Sequence, residues 1–285
     1  MNKLNNITNL YKQAANFVSN ADALIITAGA GMGVDSGLPD FRGNKGFWKA
    51  YPAIAHLGIS FVEMANPRWF ADNPKLAWAF YGHRYNLYKK TNPHKGFEIL
   101  KKIGQQKEYG YFVYTSNVDG HFQKAGFNEA FIEEVHGSIN YLQCSIPCNT
   151  NIYVGDKLHI EIDEKKFEAY EPLPHCPECG AVARPNILMF GDWNWLSHRS
   201  EEQSNRFENY IYNLKKQKAK PVIIEIGAGT AVPTVRLKSE RLASEFETTL
   251  IRINPRDFHI PHYVKGIEIP AGALEGIFGI ANEIN

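Results

Sequence analysis

The stretch Leu24-Ile25-Ile26-Thr27-Ala28-Gly29-Ala30-Gly31-Met32-Gly33 decides the fold. Leu24, Ile25 and Ile26 form a short apolar run, and the chain breaks from it into a glycine-rich turn over residues 28–33 before becoming polar. The first strand of a dinucleotide-binding fold meets its phosphate loop in this way. Glycines let the backbone approach a pyrophosphate with no Cβ in between, and the N–H groups that open the following helix face the negative charge. Taken alone, the turn is equally what a tight strand-to-helix connection without a ligand uses.

Leu38, Pro39, Asp40, Phe41, Arg42 and Gly43 follow at once. With them the segment resembles the sirtuins, whose hallmark is G-A-G-x-S-x-x-S-G-[IL]-P-D-F-R-G. Gly29, Ala30, Gly31, Ser36, Gly37, Leu38, Pro39, Asp40, Phe41, Arg42 and Gly43 all match, and Gly33 stands where the family usually has serine. The resemblance implies an NAD site that includes Gly29, Ala30, Gly31, Asp40, Phe41 and Arg42, with Phe41 shielding the reactive centre and Arg42 holding the phosphate-side closure.

Working outward, the chain has 285 residues with 44% hydrophobic content, enough for a large core with room for an inserted module. A formal net charge of +1 gives no general case for nucleic-acid or membrane attraction, and neither partner is expected. No stretch approaches a membrane span, and residues 1–20 are polar and mixed in charge, without a signal peptide's apolar centre. The expected location is therefore cytoplasmic. The four cysteines, Cys144, Cys148, Cys176 and Cys179, form two close pairs with none left over. In a reducing compartment such pairs read as a metal site rather than as disulfides.

Tyr111 to Tyr114 is a buried-strand candidate that ends in T-S-N-V-D-G at residues 115–120. Open α/β sheets place ligands at such strand ends. The segment resembles the sirtuin T-Q-N-[IV]-D-G, with Ser116 in place of glutamine. The resemblance implies that Ser116, Asn117, Val118 and Asp119 face NAD, and that Asn117 orients ribose hydroxyls or water. His121-Phe122 inverts the family's Leu-His order, so His121 inherits no role, and His94 reads as a cap or packing residue. His136, in a Val-His-Gly context, matches the setting of the family's general base.

Cys144-x-x-x-Cys148 and Cys176-x-x-Cys179 can chelate one tetrahedral Zn²⁺ as a closed structural site. The first pair is one residue wider than the family's, and residues 149–175 make a long spacer that alternates like a hairpin around Gly155-Asp156. Residues 184–192 resemble R-P-x-[IV]-x-x-F-G-E with Asp192 for glutamate, which implies that Met189, Phe190 and Gly191 contact an extended substrate peptide. Gly227, Ala228 and Gly229 follow the strand candidate Pro221 to Ile226, and with Asn254 and Leu274 they complete the cofactor set that the resemblance implies.

Between these motifs, residues 47–92 are rich in aromatics and read as short helices broken at Pro52, Pro67 and Pro74. Tyr81 and Arg84 lie three apart on one helix face. They resemble the Y-x-x-R of sirtuins that remove acidic acyl groups, where an Arg fork binds the carboxylate. The other reading is that the two side chains tie the helical module to its surroundings.

The expected architecture is α/β: a Rossmann-like, mostly parallel sheet with an inserted zinc-binding module and an inserted helical module. We expect one catalytic domain over residues 1–285, with the core at about 7–46, 93–140 and 186–285, the helical module at about 47–92 and the zinc module at about 141–185. The resemblance implies an NAD-dependent deacylase of acylated protein lysines. The alternatives are an ADP-ribosyltransferase, an NAD hydrolase or a non-catalytic NAD-sensing module, because fold alone does not choose among them.

Overall fold

The structure, a computed structural model, describes residues 2–39, 48–49, 51–56 and 58–284. In chain order the described strands are β1 (Ala23–Ala28), β2 (Tyr111–Thr115), β3 (Ile132–Glu134), β4 (Gly137–Cys144), β5 (Tyr153–Val154) and β6 (Ile162–Asp163). They continue with β7 (Glu168–Ala169), β8 (Ala183–Ile187), β9 (Pro221–Ile226), β10 (Leu250–Ile253) and β11 (Gly266–Ile269).

Every residue of β1 is buried. Side chains alternate across a strand, so Leu24, Ile26 and Ala28 enter one core with Phe97, Leu100 and Ile277, while Ala23 and Ile25 enter a second with Phe207 and Leu242. A strand covered on both faces requires an unbroken apolar run, and a parallel sheet supplies that environment. The helices Asn2–Ser19, Lys95–Gln105 and Ala273–Ala281 cover the first face, and His198–Lys216 and Thr234–Glu245 cover the second.

The main sheet is six-stranded and parallel, in the order β11-β10-β9-β1-β2-β3. The chain builds outward from β1 through β2 to β3, then returns to the other side of β1 and builds outward from β9 to β11. The order therefore reverses between β1 and β9, and a crevice opens beyond their carboxyl ends, at Gly29 and Gly227. This is where doubly wound sheets bind ligands.

A second unit sits beside that crevice. Strands β5, β4 and β8 form an antiparallel sheet, and the Pro74–Lys90 helix packs an aromatic core against it with Tyr51, Phe70, Trp78, Phe80 and Tyr81. The Trp78 indole donates to the Ala183 carbonyl over 2.9 Å, fixing helix to sheet. Pro52 and Pro74 stand at the first positions of their helices, where a missing N–H costs nothing, so they start helices as well as interrupt them.

One expectation about the spacer needs correcting. The alternating residues around Gly155-Asp156 do not form their own hairpin: β5 pairs with β4, and the Gly155 N–H donates to the Asn140 carbonyl over 2.7 Å. The hairpin lies further on, between β6 and β7, where Asp163 Oδ1 accepts from the N–H groups of Lys165 and Lys166 and closes the turn.

Candidate active site and metal centre

The floor of the crevice is two glycine loops in main-chain contact. Gly29 N–H donates to the Ile226 carbonyl and Gly31 N–H to the Gly227 carbonyl, each over 3.0 Å. A Cβ on Gly29 would stand 2.7 Å from Ala228 Cα, and one on Gly227 would stand 2.4 Å from the Gly31 carbonyl carbon. Gly227 also has φ +63°, a conformation side chains disfavour. The Gly29-Ala30-Gly31 and Gly227-Ala228-Gly229 runs thus need glycine first to pack on each other. The result is a shelf at the switch point with no side chain larger than a methyl, the surface a pyrophosphate requires, and it fits a dinucleotide.

Two asparagines brace the shelf. Asn117 Nδ2 donates to the Gly29 carbonyl over 3.0 Å, and Asn254 Nδ2 donates to the Ala228 carbonyl over 2.8 Å. Thr115 sets the first of these: its hydroxyl donates to the Ala28 carbonyl over 3.0 Å and accepts from the Asn117 N–H over 3.0 Å. Asn254 is fully buried, and its Oδ1 accepts from the N–H groups of Arg256 and Asp257. Ser116 N–H donates to the Ala28 carbonyl over 3.1 Å, so the residue replacing the family glutamine is held at the same junction. Val118 is buried in the aromatic core, and Asp119 Oδ1 accepts from the His121 N–H over 2.9 Å.

His136 follows β3 and precedes β4, at the seam between the two sheets. Burial pushes its imidazole below the ordinary histidine value, opposed by a hydrogen bond to the Ser116 backbone. A ring held neutral near pH 7 and tied at one nitrogen leaves the other to accept a proton. The His136 carbonyl accepts from the Leu188 N–H over 3.0 Å, which joins the histidine to the segment carrying Met189, Phe190 and Gly191. Gly137 must be glycine, because a Cβ there would stand 2.1 Å from the Asn186 carbonyl oxygen at φ +76°.

That segment hangs on one carboxylate. Asp192 pairs bidentately with Arg184 at 2.6 and 2.9 Å, with the two side chains 0% and 1% exposed. It also accepts from the N–H groups of Met189 and Asn194. Phe190 N–H donates to the Ala65 carbonyl over 2.9 Å, and Phe190 packs edge-on against Phe61.

Tyr81 and Arg84 lie inside the aromatic core. Arg84 Nη2 donates to the Tyr88 hydroxyl over 2.7 Å, and its guanidinium lies over the rings of Phe80 and Tyr88. Burial drives the Tyr81 phenol well above its ordinary value, so it stays protonated.

The four cysteines do come together. All four Sγ atoms lie within 4.8 Å of one another, with Cys144 to Cys179 at 3.6 Å and Cys148 to Cys176 at 3.7 Å. Zn–S bonds of about 2.3 Å in a tetrahedron put sulfurs roughly 3.8 Å apart, so the donor set and its spacing fit one structural Zn²⁺.

Three contacts join the site in ways the motif reading did not show. Asp35 Oδ2 accepts from the Leu274 N–H over 2.7 Å, so the 3₁₀ turn after the first glycine loop caps the Ala273–Ala281 helix. Ser36 Oγ accepts from the His94 N–H over 2.9 Å. His94 Nδ1 accepts from the Gly96 N–H, which leaves Nε2 protonated to donate to the Met32 carbonyl over 2.9 Å. His94 is thus a cap and a tie. Asp40, Phe41 and Arg42 lie outside the described residues.

The profile of the Sir2 family matches residues 29–232, a span that takes in both glycine loops, Asn117, His136 and the cysteines. The chain belongs to the Sir2 family. Among its relatives, this Sir2 protein is 28% identical over 239 residues to the NAD-dependent protein deacylase of Aquifex aeolicus, covering 82% of this chain and 84% of the relative. It is 29% identical over 231 residues to the enzyme of the same name from a Leptospira interrogans strain, covering 80% and 79%. In architecture it is similar to a crystal structure of a Sir2 homologue–NAD complex, with a TM-score of 0.70 at 22% identity, covering 95% of this chain and 93% of that one. No helix among the described residues is long and apolar enough to cross a membrane.

Proposed function

We infer that this Sir2 protein is an NAD-dependent protein-lysine deacylase in which His136 is the general base and Asn117 the orienting amide. The observation that carries the reading is that His136, kept neutral by burial, is bonded through its own carbonyl to the Leu188 N–H, and Asn117 through its amide to the Gly29 loop. The His136 ring bonds the Ser116 backbone, its carbonyl holds the peptide segment, and Asn117, next to Ser116, holds the dinucleotide shelf.

NAD, when bound, supplies the ribose carbon that receives the acyl oxygen as nicotinamide departs. The chain's own residues do the rest. The Gly29–Gly31 and Gly227–Gly229 loops hold the pyrophosphate, and Asn254 and the Leu274 segment border the adenosine end. Ser116, Val118 and Asp119 border the nicotinamide end. Met189, Phe190 and Gly191, in a segment held by Asp192 and Ala65, border the substrate backbone, whose alignment supplies much of what a weakly nucleophilic acyl oxygen lacks. His136 takes a proton from a ribose hydroxyl.

Cys144, Cys148, Cys176 and Cys179 would hold Zn²⁺ away from the reaction, bracing the small sheet. Thiolates kept for a metal suit a reducing compartment, and we place the protein in the cytoplasm on that ground. As a division of the chain, we propose a core built on the parallel sheet and an inserted pair of modules, one helical and one bearing the cysteines.

Mass analysis of products from an acetyl-lysine peptide with NAD tests this. Free lysine and acetyl-ADP-ribose from wild type, and neither from His136→Ala, are expected. ADP-ribosylated protein or free ADP-ribose without peptide turnover would favour the transferase or hydrolase alternatives. A finer reading, preference for acidic acyl groups, is supported by Tyr81 and Arg84 sharing one face of the Pro74–Lys90 helix. It requires a succinyl-over-acetyl preference that Arg84→Met removes.

A further inference from the structure

Trp193 is 96% exposed. The indoles of Trp48, Trp69 and Trp78, by contrast, each donate to a main-chain carbonyl. Looseness does not explain the exposure, because the residues on either side of Trp193 are fixed. Asp192 is clamped by the buried Arg184 guanidinium, and the Asn194 N–H donates back to Asp192 Oδ1 over 3.2 Å. The clamp therefore presents the indole to solvent.

Two further exposed apolar residues lie on the elements that meet at Phe190. Leu188 is 39% exposed, and Val62, on the Phe61–Met64 helix whose Phe61 packs against Phe190, is 50% exposed. Leu188 is the residue bonded to His136. The charges nearest in sequence to Val62 are engaged elsewhere: Glu63 closes the cap at Ser60, and Arg68 lies over the Trp69 ring. Exposed apolar side chains on a fixed backbone mark a contact surface, and Trp193 follows Gly191, the end of the peptide segment, by two residues.

We propose that Trp193 is a specificity-determining residue: it contacts the side chain of a substrate residue flanking the acyl-lysine and selects a bulky apolar one there. The proposal rests on the deacylase reading and on Met189 to Gly191 as the peptide edge. The occupant is the substrate peptide, because the fixed segment that carries Trp193 begins at Leu188, the residue bonded to the candidate base.

The test uses acetyl-lysine peptides carrying Leu, Gly, Asp or Lys at each of two positions on either side of the acetyl-lysine. Kinetics are measured with wild type, Trp193→Ala and Trp193→Phe. Tryptophan emission is followed during peptide titration in a His136→Ala background, with and without Trp193→Phe. At one flanking position the wild type should favour Leu over Gly by roughly tenfold, expressed through KM, the scale a small apolar contact supports. Trp193→Ala should erase that ratio and Trp193→Phe should keep part of it. The Leu peptide should shift the emission to the blue, and the shift should vanish when Trp193 is Phe. A Leu-to-Gly ratio unchanged by Trp193→Ala, or a preference for Asp or Lys that depends on Trp193, would overturn the proposal while leaving deacylation intact. Failure to deacylate any peptide would overturn the underlying reading, and the proposal with it.

Discussion

The Asn117 side chain donates to the Gly29 carbonyl over 3.0 Å, joining the end of β2 to the glycine loop that leaves β1. The bond fixes which end of the amide faces the loop. Asn117→Ala should cost about 1 kcal/mol, the net worth of one such hydrogen bond. Asn117→Asp should cost more, because a carboxylate would then face a carbonyl oxygen. Chemical denaturation of the two variants checks the order, and equal midpoints would mean that the amide does not point at Gly29.

Gly33 stands where the family usually has serine, and in this chain a side chain there would meet Leu38. A Cβ on Gly33 would stand 2.8 Å from Leu38 Cδ1, so the leucine fills the space a side chain would take. Gly33→Ser should therefore destabilise by about 1 kcal/mol, the low end for overpacking, because the obstacle is the end of a flexible side chain. Adding Leu38→Val should recover most of it. A serine variant as stable as wild type would show that Leu38 yields freely.

The sulfur spacing makes zinc removal informative. Metal analysis should find one zinc per chain, and a strong chelator should lower the melting temperature of wild type. Cys144→Ala, which removes a buried ligand, should melt low with or without chelator. A chelator-insensitive, zinc-free wild type would leave the cysteines as plain thiols.

Glu133 gives a pH signature. Burial raises its carboxyl to about 7 from an ordinary 4.5, with Lys238 partly opposing. Below the ordinary value the group is protonated in both folded and unfolded chains, so it does not affect stability. Between about 4.5 and 7 the unfolded chain releases the proton while the folded chain keeps it, so stability falls as pH rises and then levels off. Glu133→Gln should thus gain about 3 kcal/mol at pH 8 and nothing at pH 4, read from melting curves at each pH. A gain of equal size at both would contradict the assignment.

Much of this was legible in the chain because local rules and global fold agree. Leu24, Ile25 and Ile26 read as a strand because a parallel strand buried on both faces must be apolar throughout, and the glycine loop follows it directly. Cys144, Cys148, Cys176 and Cys179 read as one cluster because thiols come in pairs for few other reasons in a reducing cell. What stayed hidden was contact between distant positions. Nothing near Asp35 in sequence announces that it caps the helix at Leu274, and Arg184 and Asp192 read as parts of a motif rather than as one buried pair. The hairpin was misplaced because β4 competes for the edge of β5, and alternation in a sequence does not say which strand will be the partner.

The central claim is that His136 serves a reaction requiring both NAD and an acylated peptide. Nicotinamide release should be followed with and without an acetyl-lysine peptide, for wild type and His136→Ala, from pH 5 to 9. Release should depend on the peptide, and deacylation should vanish in the variant. In wild type kcat/KM should rise with pH to a plateau, with its ascending limb below the ordinary histidine value because burial lowers the His136 pKa. Equal nicotinamide release without peptide, or an active His136→Ala, would contradict the account.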